Sequence, residues 1–288
     1  GNPTEPKADA PTHAGCLSTS QTLARAGAGC QTDSARRLRS RCPLGYAQRL
    51  VTLTSSQVEK TLQGLVERRA ETASREWLAR TTAAIGGAPD RGALLEGFTA
   101  ATRRLGRARL VPTEEEIARL AAAGVSWSIG TWGADELGRV ALLVAAAAHW
   151  PEGDLQALVE ECYRQGDGAE RQAVLRALPL LPGPERFLEI AVDACRSHIQ
   201  PLFEAIACEN PYPARYFPEL NFNQMVLKAL FTGVALARIL GCDGRVTSEL
   251  SRMAADFASE RRAAGRSVPP DIGELTGGRL TGDRGDQP

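Results

Sequence analysis

The sequence has little of the chemistry that common catalytic and metal-binding motifs require. It holds three histidines, and its seven cysteines form no C-x-x-C pair, so a structural zinc site of the usual spacing is not expected. The phosphate-loop, dinucleotide-binding, zinc-protease and nucleophile-elbow motifs are also missing from it. We therefore predict no metal site and no cofactor.

Net charge and long apolar runs are absent too. The 34 Lys and Arg residues balance 34 Asp and Glu residues, so no large basic field favours nucleic acid or an anionic membrane surface as a partner. The longest uninterrupted apolar run, residues 140–148, is too short to span a bilayer. Without C-x-x-C pairs or a signal-like apolar segment, the sequence favours a cytoplasmic location.

The composition changes along the chain and predicts three regions. Residues 1–44 are basic, rich in Gly, Ser, Thr and Pro, and poor in large apolar residues, which is typical of a disordered leader. Residues 45–272 carry the apolar periodicity of a folded domain, and residues 273–288 are rich in glycine. We expect this last region to be a disordered tail.

The apolar periodicity of the middle region is helical. Thr113 and Glu116 have the spacing of a capping box at the start of one helix. An amphipathic helix is expected to follow a loop at residues 124–133. The predicted helices cover residues 54–85, 91–106, 114–123 and 134–149.

A repeat of 33 residues follows, in which the pattern beginning at Pro151 recurs at Pro184. Thirty-three residues is about the length of one helix–turn–helix unit, and proline suits the first position of a helix. We predict an all-α fold of antiparallel helix pairs, arranged as a short HEAT-like α-solenoid. A compact irregular helical domain is the alternative, because two copies are few for a stacked repeat.

The candidate binding residues concentrate near the end of the domain. Asn221, Gln224 and Lys228 are spaced by three and four residues, so they form a polar stripe on one face of an apolar helix. Glu204 and Glu209 precede them and are the nearest candidates to satisfy that stripe. The set also includes Asn210, in the turn Asn210-Pro211-Tyr212-Pro213.

Two interpretations of this stripe stay open. In the structural one, Lys228 pairs with a glutamate, and the amides of Asn221 and Gln224 bind backbone groups freed by the turn. In the functional one, the same side chains line a pocket for a polar, hydroxylated small molecule.

A second group combines Trp132 with Asp135, Glu136 and Arg139. Two acidic residues suit the first turn of a helix, and Asp135 and Arg139 have the spacing of an i, i+4 ion pair. A structural role is favoured here. Trp132, between loop glycines, is the candidate wall of a pocket.

Several long strings resemble the EboA family. They are TWGADELGRV (131–140), ALPLLP (177–182), FEAIACENPYP (203–213), FPELNFNQMVLKALFTGVALARILG (217–241) and ERRAAGRSVPPD (260–271). The family is named for an operon of bacteria and some algal plastids, so the resemblance implies participation in making or moving a specialised small metabolite. It brings no catalytic residue with it.

Together these observations predict an accessory protein that binds a small polar or prenylated metabolite, or an enzyme of its pathway. An enzyme is the alternative, with Glu204 or Glu209 as general acid or base and Lys228 stabilising an anion. A pure scaffold, using the concave side of a solenoid, is the third possibility.

Overall fold

The computed structural model describes residues 55–277. Regular structure in this range is helical, and its β-pairing is limited to an isolated bridge between Arg109 and Gly133. The predicted all-α fold is confirmed. The α-helices are α1 Ser55–Glu67, α2 Thr72–Gly87, α3 Arg91–Leu105, α4 Glu114–Ala122, α5 Ala134–Ala147, α6 Glu152–Gln165, α7 Gly168–Ala177, α8 Leu188–Arg196, α9 Gln200–Ala207, α10 Tyr212–Tyr216, α11 Glu219–Thr232, α12 Ser248–Ala263 and α13 Ile272–Thr276.

Side-chain caps fix several of these helix starts. The predicted capping box of α4 is present: Thr113 Oγ1 accepts from the Glu116 N–H, and Glu116 Oε2 accepts from the Thr113 N–H. Asp167 and Glu170 form the same reciprocal pair at α7. Each arrangement satisfies backbone N–H groups that have no partner within the helix.

The predicted helix 54–85 is divided into α1 and α2 by residues 68–71. Arg69 stabilises the break between α1 and α2, because its guanidinium donates to the carbonyls of Leu65 and Val111. The division lets α1 and α2 each pack against α5. A single straight helix over residues 54–85 could not pack against α5 with both of its halves.

Helix α5 is the centre of the described fold. It contacts α1, α2, α3, α6 and α7, and all its residues from Ala134 to Ala146 are buried. The predicted helix is present and its apolar face is buried, but its polar face is buried as well. Neighbouring helices surround α5, so even its charged residues lie in the core.

The second half of the described chain is built from neighbouring helix pairs. Helix α6 packs on α7, α8 packs on α9, and α7 also contacts α9. Pro151 precedes α6 directly, and Pro184 begins a 3-10 turn that leads into α8. The arrangement as antiparallel pairs of a HEAT-like repeat stays a prediction.

The predicted leader, residues 1–44, lies outside the described residues. At the other end, α13 extends through Thr276 and buries Leu275 and Thr276, so helix reaches into the region predicted as a tail from residue 273. Residues 278–288 are also outside the description. No helix of the described part is long and apolar enough to cross a membrane.

Candidate functional site

The polar stripe of α11 does not run through the core. Gln224 is exposed, while Asn221 and Lys228 are half-buried. The buried amide of this helix belongs to Asn223, which is 2% exposed and whose Oδ1 has no hydrogen-bond partner in the described structure. Helical spacing placed these residues on one side of α11, but it could not show which face of the helix meets the core.

Lys228 binds backbone carbonyls rather than a glutamate. Its Nζ donates to Cys195 O at 2.6 Å and to Ser197 O, and it lies 4.8 Å from the centre of the Phe203 ring. These carbonyls are at the C-terminal end of α8, where a cation is favoured. The expected pairing of Lys228 with a glutamate is wrong. Partial burial lowers the pKa of the Lys228 ammonium.

The two glutamates instead meet at Arg238, and we call Glu204, Glu209 and Arg238 the Arg238 cluster. Arg238 Nε and Nη2 donate to the two oxygens of Glu209 at 2.8 and 3.0 Å. Its Nη1 donates to Glu204 Oε2 at 2.7 Å. The hydrogen bond from Arg238 lowers the pKa of Glu204. The three side chains are 20–35% exposed, so a ligand can reach them.

Glu209 occupies a strained backbone conformation. Its φ is 47°, and it is the one non-glycine residue with positive φ in the described range. Such a conformation costs about 1–3 kcal/mol and persists only where surrounding contacts enforce it. Here the Glu209 N–H donates to Arg238 O at 2.8 Å. Arg238 therefore holds Glu209 through both backbone and side chain.

Asn210 anchors the strained turn to the core. Its Nδ2 donates to the carbonyls of Leu175 and Ala205 at 3.1 and 3.0 Å, and its Oδ1 accepts from Tyr212 N at 3.0 Å. The side chain is buried and fully hydrogen-bonded. Asn210 thus fixes the position from which Glu209 extends.

The group around Trp132 lies in the core. Arg139 is 1% exposed, and it donates to Asp135 Oδ2 at 3.1 Å, to Thr102 Oγ1 at 3.0 Å and to Phe98 O at 2.8 Å. The predicted i, i+4 pair of Asp135 and Arg139 is present. Trp132 is 2% exposed. Asp135 and Arg139 of α5 thus form a buried hydrogen-bond network with Phe98 and Thr102 of α3.

Arg176 connects this core group to the Arg238 cluster. Its guanidinium lies 5.7 Å from the centre of the Trp132 ring. Its Nη1 contacts Glu136 Oε2 as an ion pair without the angle of a hydrogen bond. Arg176 also contributes to lowering the pKa of Glu204. The two groups predicted separately are therefore electrostatic neighbours.

Neither Arg176 nor Arg238 was predicted as a site residue from the sequence. Each is the charged residue of an apolar stretch: Arg176 follows Ala173, Val174 and Leu175, and Arg238 lies in the segment 234–240. A charge in such a stretch is costly unless it is paired. That cost is the signal that could have identified them.

Thiol and metal chemistry find little support at this site. Burial raises the pKa of the Cys208 thiol to about 12, so at neutral pH it is not the reactive thiolate. The described residues contain no group of three or more His, Cys, Asp or Glu side chains that could hold a metal ion. Carboxylate and guanidinium groups are the remaining chemistry of the Arg238 cluster.

The chain is similar to a known protein family. The family described as metabolite traffic protein EboA matches residues 58–277. No match was found among curated proteins or among solved structures.

Proposed function

Because the chain belongs to the EboA family, we propose that it is an accessory protein in the traffic or biosynthesis of a specialised metabolite, and that it binds a small polar molecule at the Arg238 cluster. The family description, metabolite traffic, supports the general role. The site and the class of ligand rest on the geometry of the cluster.

The proposal rests on the partial exposure of the Arg238 guanidinium, which is held rigidly by its neighbours. Arg238 is fixed between two carboxylates by three hydrogen bonds, yet it is 35% exposed. A hydroxylated ligand can donate to the carboxylate oxygens of Glu204 and Glu209 and accept from guanidinium N–H groups. Because these side chains are already ordered, binding such a ligand would cost little further side-chain entropy.

The protonation state of the cluster supports binding rather than catalysis. A general acid or base works best when its pKa lies near the operating pH. Arg238 moves the pKa of Glu204 in the opposite direction, below its ordinary value. Lys228, the proposed anion stabiliser of an enzyme, is bound to the carbonyls of Cys195 and Ser197. Fixed charges of this kind orient a ligand without transferring a proton.

Untargeted metabolite capture tests the proposal. The purified full chain would be immobilised, incubated with extract from its own organism, and its eluate analysed by mass spectrometry. Glu209→Gln keeps the side-chain size but removes the charge, so we expect at least about a tenfold loss of the captured compound, since a charged hydrogen bond contributes about 1.5–3 kcal/mol.

Lys228→Met is the matched control, because it removes a half-buried cation that does not contact the Arg238 cluster. We expect it to capture the compound as the wild type does. Circular dichroism of both variants would establish that they are folded. Equal capture by Glu209→Gln would exclude this site, and loss in Lys228→Met alone would favour the α11 stripe instead.

A further inference from the structure

A cleft of about 210 Å³ lies between α1 and α4, on helices that the Arg238 cluster does not use. We call it the α1–α4 cleft. Its charged lining residues are Lys60, Arg68, Glu116 and Arg119. The volume is below the range of about 300–1,000 Å³ that is usual for pockets holding a drug-sized ligand. The cleft therefore suits a small group rather than a whole large molecule.

The single carboxylate of the cleft is already saturated. Glu116 is 3% exposed, and it accepts from Arg68 Nε at 2.7 Å, from Arg69 Nη1 and Nη2 at 2.9 and 2.7 Å, and from Thr113 N at 2.8 Å. Four donors satisfy its two oxygens. Glu116 stays ionised, but Arg69, which does not line the cleft, holds both of its oxygens and offsets its charge.

The other cations keep free donors. Arg68 uses only Nε in hydrogen bonds to described residues, and the Lys60 charge acts on the neighbouring Glu59 carboxyl, which does not line the cleft. Arg119 contacts Glu115 at 3.3 Å, but both side chains are at least half exposed, and such pairs contribute little. Gly64 adds room, because a β-carbon there would lie 3.3 Å from Arg68 Nη1.

We propose that the α1–α4 cleft binds a phosphate group, with Lys60, Arg68 and Arg119 as its ligands. The guanidinium fork of arginine matches two oxygens of a phosphate, and lysine supplies a compact point charge. Three cations around one saturated carboxylate give the cleft a net positive charge. The group comes either from a free phosphorylated compound or from a lipid headgroup.

Titration of the full chain separates these sources. Calorimetry with inorganic phosphate and with pyrophosphate measures the free compound, at low ionic strength because salt screens exposed charges. Co-sedimentation with phosphatidylcholine vesicles, with and without phosphatidic acid, measures the headgroup. We expect Lys60→Gln and Arg119→Gln each to weaken binding about tenfold, because each removes one charged contact.

Arg103→Gln is the matched control, since Arg103 is an exposed arginine on α3 outside the cleft. It should bind as the wild type does. If pyrophosphate binds and both Lys60→Gln and Arg119→Gln weaken its binding, the ligand of the cleft is a free phosphorylated compound. Binding confined to phosphatidic acid vesicles and weakened by the same variants assigns it to a headgroup. Undiminished binding in the cleft variants, or none in either titration, overturns the proposal.

Discussion

Arg139 shows how a charged residue can belong to the core at the scale of a single side chain. Its guanidinium binds Asp135 on its own helix and two groups on α3, and it lies 5.6 Å from the centre of the Phe98 ring. Asp135 in turn accepts from the Thr102 hydroxyl at 2.7 Å. The sequence predicts the Asp135 pair from its spacing, but contacts to residues 98 and 102 depend on the tertiary fold.

The substitution Arg139→Met should lower the free energy of unfolding by about 3–5 kcal/mol, because it leaves the Asp135 carboxylate buried without its cation. Urea unfolding followed by circular dichroism measures this. We expect a smaller loss of unfolding free energy in the double variant Asp135→Asn, Arg139→Met, since it also removes the unpaired Asp135 charge. A cost for Arg139→Met below about 1 kcal/mol, typical of an ordinary substitution, would contradict the account of a fully paired network.

At the scale of elements, the turn between α6 and α7 depends on one glycine. A β-carbon at Gly166 would lie 2.4 Å from the backbone oxygen of Cys162, whereas one at Gly168 would meet nothing within 4 Å. Carbonyl oxygens of a helix cannot move aside as the end of a side chain can. Gly166 therefore allows α7 to turn back directly after α6.

Gly166→Ala should destabilise the protein by about 1–3 kcal/mol, the usual cost of overpacking. Gly168→Ala, two residues away at the start of α7, is its matched control. That substitution should be neutral or stabilise by up to about 1 kcal/mol, because alanine restricts the unfolded chain. Thermal unfolding of the two variants compares them directly. Equal midpoints would show that the short distance between residue 166 and the Cys162 oxygen does not require glycine.

The break between α1 and α2 shows why some element boundaries could not be predicted. Residues 68–71 are Arg, Arg, Ala and Glu, all compatible with a helix interior. No glycine or proline marks the break. Its cause is tertiary, since Arg69 binds Val111 O and Glu116 far along the chain. The capping box of Thr113 and Glu116 was predictable because its two reciprocal hydrogen bonds join residues only three positions apart.

At the scale of the whole molecule, Glu116 should make stability depend on acid pH. Hydrogen bonds from Arg69, with further ones from Thr113 and Arg68, hold its pKa far below the ordinary value of 4.5 in the folded protein. Between the two pKa values the unfolded chain binds more protons than the folded one. The stabilisation is therefore complete above the unfolded pKa and is lost as pH falls below it.

Urea unfolding at a series of pH values below about 5 measures this effect, because an unfolded glutamate titrates near 4.3. The wild type should lose stability more steeply than Glu116→Gln, which has no such carboxylate. Glu76→Gln, at an exposed ion pair with Arg80, is the control and should follow the wild type. Parallel curves for all three proteins would argue against a role for Glu116 in acid unfolding.

The sequence predicted the all-α fold and most helices, because periodicity and caps are local properties. Glu204 and Glu209 do meet, but at Arg238 and not at Lys228 as expected, and their role in binding stays a prediction. The sequence could not place Arg176 and Arg238, which reach the site from separate segments, nor could it show that Lys228 binds carbonyls. Which charges meet depends on how α5, α7 and α9 pack. Neither the composition nor the local spacing of residues determines that packing.

The most direct test of the central claim is native mass spectrometry of the full chain purified from its own cells. We expect a small-molecule adduct on the wild type and on Lys228→Met, and its loss from Glu209→Gln. An adduct of equal occupancy on Glu209→Gln, or a wild type free of any adduct after incubation with cell extract, would contradict binding at the Arg238 cluster.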